Sequence, residues 1–254
     1  MRYLKIVIFA TFVAILFSAC THKTPYTNRS QLILMSSQEE LALGEKSYKE
    51  SLSELKVITG TKDALRVQTI GQKIAVAANQ PNYKWEFNLV DDNQANAFCL
   101  PGGKVVVYTG ILKYAKNDDQ LATVISHEVA HALARHGAER VTQGMIQQGV
   151  GLIGSVAVAA TAPQYQNAFN QAYGLGSNLG VMLPYGRMQE SEADEIGIYL
   201  MHKAGYNVNE ATKFWENMSE GKSGGNDFFS THPSSQNRTK DIQTVINKIG
   251  NEAK

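Results

Sequence analysis

Few cysteines, few prolines and no excess of either charge mark this 254-residue sequence. Two cysteines cannot build a disulfide framework, which excludes a small stapled scaffold. Lys and Arg number 24 against 23 Asp and Glu, interspersed, so there is no basic face for nucleic acid. Past the leader-like start no apolar run approaches the ~20 residues of a bilayer crossing, which excludes a multi-span membrane protein. Six Pro and 21 Gly, with 43% hydrophobic and 19% charged residues, exclude collagen-like, disordered and coiled-coil chains. What is present suffices for one or two cores, because a chain this long buries roughly 70% of its unfolded surface.

The start of the chain reads as an address. Arg2 and Lys5 precede an apolar run, Ile6 to Phe17, broken only by Thr11 and too short to span stably. Phe17-Ser18-Ala19-Cys20 resembles a bacterial lipobox, with Phe where Leu is usual. That likeness implies a lipoprotein signal peptide over 1–19 and lipidation of Cys20, with enough hydrocarbon to hold the chain on a membrane. Thr21, rather than Asp, follows the cysteine and points to the outer membrane. The expected place is therefore the bacterial cell envelope, lipid-anchored and facing the periplasm. Residues 20–35, polar and short, read as a lipidated terminus and tether, and residues 36–254 as one domain. Cys99, within Ala97-Phe98-Cys99-Leu100, is left without a disulfide partner and reads as a buried small hydrophobe.

Along that domain, Ser37 with Glu40 three residues later opens a helix as a capping box, and Gly60 stops it. A second helix is expected over 63–78. Trp85, Phe87 and Leu89 alternate as in a half-buried strand, Leu100-Pro101-Gly102-Gly103 turns the chain, and 104–109 is a β-branched strand that pairs as a hairpin. A long helix follows from about Asn117. Residues 144–180 turn to Gly, Ala, Gln and Asn, and a lid, a pair of small-residue helices and a disordered insert all fit them. Helices are expected again from Arg187 to Gly205, over 209–220 and over 234–249, with a flexible linker at 221–230. The fold class is α+β, mainly helical with a small β-sheet.

His127-Glu128-Val129-Ala130-His131 carries the chemistry. Histidines at i and i+4 lie about 40° apart around a helix, so both rings reach one ion, and imidazole suits Zn2+. Glu128 is turned about 100° from His127, beside the ion, where it can accept a proton from water. Uncharged neighbours on every side of the motif bury it, and buried polar groups without a task are costly. His136 lies about 180° around from His127 and cannot join the same ion while the helix continues. A carboxylate from another helix is then the natural third ligand. Glu190 and Asp194 stand i, i+4 on one face, while Glu192 points about 200° from Glu190. Such a cluster is ordinarily a solvated face. Paired with the histidines, Glu190 reads as a ligand and Asp194 as the acceptor for a ligand histidine's other N–H.

These motifs, together with Asn96–Lys104 and Tyr108-Thr109-Gly110, resemble the gluzincin metallopeptidase family of the CAAX prenyl proteases, HtpX, BepA and LoiP. The likeness covers about 36–245. It implies a zincin fold, one Zn2+ per chain held by His127, His131 and Glu190, Glu128 as general base, and Asp194 in support. It also singles out His232, otherwise a loop histidine, as an occupant of the metal's open position or a stabiliser of the transition state. Tyr185 is a second candidate for that stabilising role, and Arg238 a support of the His232 loop. The expected function is a zinc endopeptidase acting on unfolded or misassembled envelope proteins. Its substrate would pair in extended form along Asn96, Ala97 and Phe98. The rival expectation is an assembly factor whose zinc site is kept latent by His232.

Overall fold

The computed structural model describes residues 21–147, 186–220, 228–233 and 237–252. The leader, Cys20, Tyr185 and most of 144–180 lie outside them. Among the described residues no helix is long and apolar enough to cross a membrane.

A four-stranded sheet divides two apolar layers. Its strands run in the order β3 (Val57–Ile58), β4 (Glu86–Val90), β6 (Lys104–Tyr108), β5 (Ala97–Leu100). β4 and β6 are parallel; β3 and β5 pair antiparallel with their neighbours, so the expected hairpin forms. Alternation sorts the side chains. Phe87, Leu89, Ala97, Cys99, Val105 and Val107 enter the larger core, and Val90, Phe98, Leu100, Val106 and Tyr108 the smaller. Both faces are covered, which is why β6 reads as continuous valine. At the hairpin turn Gly102 and Gly103 hold φ of +84° and +86°, and a Cβ on Gly103 would stand 2.6 Å from the Trp85 ring.

Helix α1 (Ser37–Glu54) covers the smaller core, and α2 (Lys62–Ala78) packs on the larger one. The N-cap of α1 is Ser36, one residue earlier than expected. Its hydroxyl accepts from Glu39 N, and Glu39 accepts in return from Ser36 N. Glu40 is thereby freed to turn inward and bind Arg135 Nε at 2.7 Å. Helix α3 (Asp118–Leu133) starts at Asn117, whose side chain accepts from Gln120 N, and is buried at every residue from Gln120 to Leu133. It ends because Arg135 takes φ +55°, and the chain restarts at once as α4 (His136–Gln147). Helix α5 (Arg187–Lys203) lies against α3. Gly197 permits this close approach, since a Cβ there would meet His127 N and Ser126 Oγ at 3.3 Å. Helices α6 (Glu210–Glu220), α7 (Phe228–Thr231) and α8 (Arg238–Glu252) close the larger core.

Two expectations change. Residues 21–35 are not a tether. They form a hairpin of β1 (Thr21–Lys23) and β2 (Ser30–Leu32), and Ile33 and Met35 then enter the smaller core. Gln31 Nε2 donates to Ala134 O at 2.6 Å, and Leu34 N to Thr142 Oγ1 at 3.0 Å. The apolar run Leu32–Met35 explains the docking, and polar composition around it had masked the run. The expected linker also ends early: residues 221–227 lie outside the described residues, but Phe228 opens α7 and is fully buried.

Candidate metal centre

Helices α3 and α5 bring the two sequence motifs together. His127, His131, Glu190 and His232, all buried, place one donor atom each within 4.8 Å of one another. His127 Nε2 lies 3.1 Å from His131 Nε2 and 3.4 Å from Glu190 Oε2, and His131 Nε2 lies 3.3 Å from Glu190 Oε1. His232 Nδ1 stands 3.0 Å from Glu190 Oε1 and 3.4 Å from His127 Nε2. Tetrahedral donors at the ~2.0–2.1 Å of Zn–N and Zn–O bonds would be roughly 3.3–3.4 Å apart, so the spacing suits one divalent ion.

The electrostatics agree. Burial alone would raise Glu190, but His232, His127 and His131 hold its carboxyl well below the ordinary value. Burial pulls His127 down, yet its bonds to Asp194 and Glu190 prevail and raise it to about 9. The cluster thus draws positive charge to its centre. Burial holds His131 well below, and His136 below, the usual imidazole value. Glu190 Oε2 is buried without a hydrogen-bond partner, with His127 Nε2 at 3.4 Å and Arg238 Nη2 at 3.6 Å, a spacing that leaves it able to accept a metal ion. The residues present therefore fit a metal ion.

Glu128 sits beside this cluster, 1% exposed, with Oε1 lacking a hydrogen-bond partner and 3.5 Å from His232 Nε2. Burial pushes its carboxyl above the ordinary value, toward the range useful to a general base. Asp194 Oδ1 accepts from His127 Nδ1 at 2.9 Å and from Arg238 Nη2 at 2.7 Å. Arg238 lies flat over Trp215, 3.3 Å from its ring centre, and Trp215 meets His127 edge-on. Arg238 thus supports Asp194. His232 itself is stacked on Phe228, with ring centres 4.2 Å apart.

Of the expected substrate edge, Ala97 and Phe98 fall on β5, the outer strand of the sheet, which packs on α3, and Asn96 immediately precedes it. Tyr108 N donates to Asn96 O, so Ala97 and Val107 are a non-hydrogen-bonded pair. Ala97 and Cys99 consequently turn their main-chain groups outward, and Phe98 turns its own inward. Asn96 Oδ1 accepts from Ala97 N at 2.9 Å.

Two residues without an assigned role reach the centre. His136 is not opposite His127: the break at Arg135 swings it back, and its Nδ1 comes 2.9 Å from His131 Nδ1. Glu192 meets the other side of His136, with Oε2 2.9 Å from Nε2. The sequence reading kept His136 off the ion only while the helix continued and turned Glu192 away from Glu190; neither is among the four clustered donors, and what the sequence did not show is that the two meet behind His131. A His five residues after the second motif histidine was the only signal.

Residues 61–246 match peptidase family M48. The chain is 36% identical over 225 residues to the mitochondrial metalloendopeptidase OMA1 of Schizosaccharomyces pombe, covering 86% of this chain and 64% of that protein. Against the Saccharomyces cerevisiae enzyme of that name, identity is 32% over 265 residues, or 93% and 74% of the two chains. The β-barrel assembly-enhancing protease of Escherichia coli is 26% identical over 217 residues, 83% of this chain but 44% of that protein. The chain thus spans between about half and three quarters of these relatives.

These likenesses correct one expectation. The metalloendopeptidases at 29–39% identity are named as mitochondrial, so the expected bacterial outer-membrane location does not stand. A short apolar run behind basic residues is common to leaders of several compartments, and Thr21 carries sorting meaning only in a bacterium. The match over 61–246, with two motif helices converging on a buried cluster of metal donors, places this chain in peptidase family M48.

Proposed function

We propose that this chain is a zinc-dependent metalloendopeptidase that cuts unfolded or misassembled proteins. The observation that carries it is the set of four donors within 4.8 Å beside the buried carboxylate of Glu128, whose Oε1 has no hydrogen-bond partner. His127, His131 and Glu190 hold the metal, and two nitrogen donors with one oxygen suit zinc. When bound, zinc supplies Lewis acidity and brings the pKa of water down toward about 7. Glu128 takes the proton of the attacking water and delivers it to the leaving nitrogen. Asp194 fixes His127 as the Nδ1–H form, so that Nε2 faces the centre. The outward main-chain groups of Ala97 and Cys99, with Asn96 beside them, align an extended substrate, which reads backbone more than side chain. The name of the bacterial relatives makes β-barrel proteins in the course of assembly the first substrates to test.

One observation favours the rival class, an assembly factor with a latent centre. His232 stands among the donors and is 1% exposed, so it fills the position a substrate carbonyl would need. Casein cleavage by the zinc-loaded chain decides between the two. Loss of cutting in Glu128→Gln supports the peptidase, and faster cutting in His232→Ala supports a gated centre. No cutting by wild type or His232→Ala, with zinc bound, overturns the peptidase in favour of the assembly factor. Attachment to a membrane through lipidated Cys20 belongs to the same proposal. Intact mass of the wild type against Cys20→Ala tests it.

A further inference from the structure

We infer that His136 is a positioning residue of the metal centre, held in turn by Glu192 and by the N-terminal hairpin. The inference rests on the reading of His131 as a metal ligand. A ligand imidazole needs a lone pair at the coordinating nitrogen, and its other nitrogen needs an acceptor that fixes this tautomer. His127 has Asp194 for that purpose. At His131 Nδ1 the partner among the described residues is of another kind. It is another imidazole, His136 Nδ1, at 2.9 Å.

The direction of this bond is set from the far end. Glu192 is surrounded by donors: the Thr24 hydroxyl at 2.7 Å, the Thr27 hydroxyl, and Arg29 Nε at 2.6 Å. A carboxylate so placed only accepts, and its partner on the inner side is His136 Nε2 at 2.9 Å. Two ring nitrogens 2.9 Å apart need one donor and one acceptor, and with the Nε2 proton of His136 directed at Glu192, its Nδ1 is free to be the acceptor that a ligand His131 requires. His131 must donate from Nδ1, which leaves the lone pair on Nε2, facing Glu190 and His127. The chain of donors runs one way, from the hairpin to the metal ligand. A purely structural pair of buried histidines would not require that direction.

The test is made on the detergent-solubilised full chain, with Zn2+ affinity measured by competition against a chromophoric chelator. His136→Leu, which removes the acceptor, is expected to bind Zn2+ 10–100-fold more weakly, the range for lost partners of metal ligands. Its metal-free melting should change little. His136→Asn, whose Oδ1 can accept from His131, should recover most of the affinity. Proton-coupled nitrogen spectra of the wild type should show Nδ1–H at His131 and Nε2–H at His136, and a mixture in Glu192→Gln. Wild-type affinity in His136→Leu overturns the inference. If that variant fails to fold, Glu192→Gln decides, and an unchanged affinity with an unchanged His131 tautomer overturns it. Wild-type affinity in His131→Ala is a different failure: it removes the metal-site reading beneath.

Discussion

His127 and His131 come from successive turns of one helix, yet what stands behind each differs in kind and in origin. Behind His127 is a single carboxylate, Asp194, four residues from Glu190 on the same helix α5, with the buried Arg238 as its counter-charge. Behind His131 is an imidazole, then a carboxylate, then an arginine, drawn from α4, α5 and the N-terminal hairpin. One side is compact and charged. The other is a ring joined to charges that sit nearer the surface, with Arg29 side chain 19% exposed against 5% for Arg238. The proposed ligand role asks the same tautomer of both rings, and two different surroundings are placed to meet it.

The largest expected effect tests what the two sides share. Glu128→Gln should cost about 10²–10⁴-fold in kcat/KM on an unfolded substrate and leave Zn2+ affinity alone. Cutting that survives the change would remove Glu128 as the base and overturn the peptidase reading that gives both histidines their task.

Next comes the contrast itself. Asp194→Ala leaves Arg238 buried without its 2.7 Å partner and should cost about 3 kcal/mol of metal-free stability by urea unfolding, as broken buried ion pairs do. Glu192→Ala should cost less, because Arg29 keeps Glu139 at 2.7 Å and retains some contact with water. The reverse order would break the distinction between a charged and a relayed side.

Gly197→Ala sharpens the comparison from the His127 side alone. The new methyl would press on His127 N at 3.3 Å, so a loss of about 1–2 kcal/mol is expected, with weaker Zn2+ binding. Equal Zn2+ affinity in that variant would show that the helix spacing has slack. The smallest effect serves as the control. Ser36→Ala removes the cap of α1 just past the hairpin, outside the relay, and should lower stability by about 1 kcal/mol without touching metal affinity. A change in chelator competition there would mean that the whole N-terminal region, not the Glu192 contact, tunes the centre.

Legibility in the sequence followed the range of the contacts. The spacing of His127 and His131, and of Glu190 and Asp194, could be read because both pairs lie within one helix turn, where geometry depends on nothing else. The strand alternation from Trp85 to Leu89 and the glycine turn before Lys104 were legible for the same local reason. The contact of His136 with His131 was not legible because Arg135 adopts a left-handed conformation that glycine or asparagine usually takes, so no residue type announced the break. The hairpin was misjudged because the partners that order it, Glu139 and Glu192, stand more than a hundred residues away.

By itself, then, the sequence determined the helical and strand periods, the pairs of donors on single faces, and an apolar content sufficient to bury them. Those properties arise from backbone geometry and the hydrophobic effect, which act residue by residue. Only the tertiary structure decided that the two faces meet, which nitrogen of each imidazole points inward, and that residues 21–35 close around α4 and α5. Tautomer and close approach depend on partners from several segments at once, and no single stretch of chain contains that information.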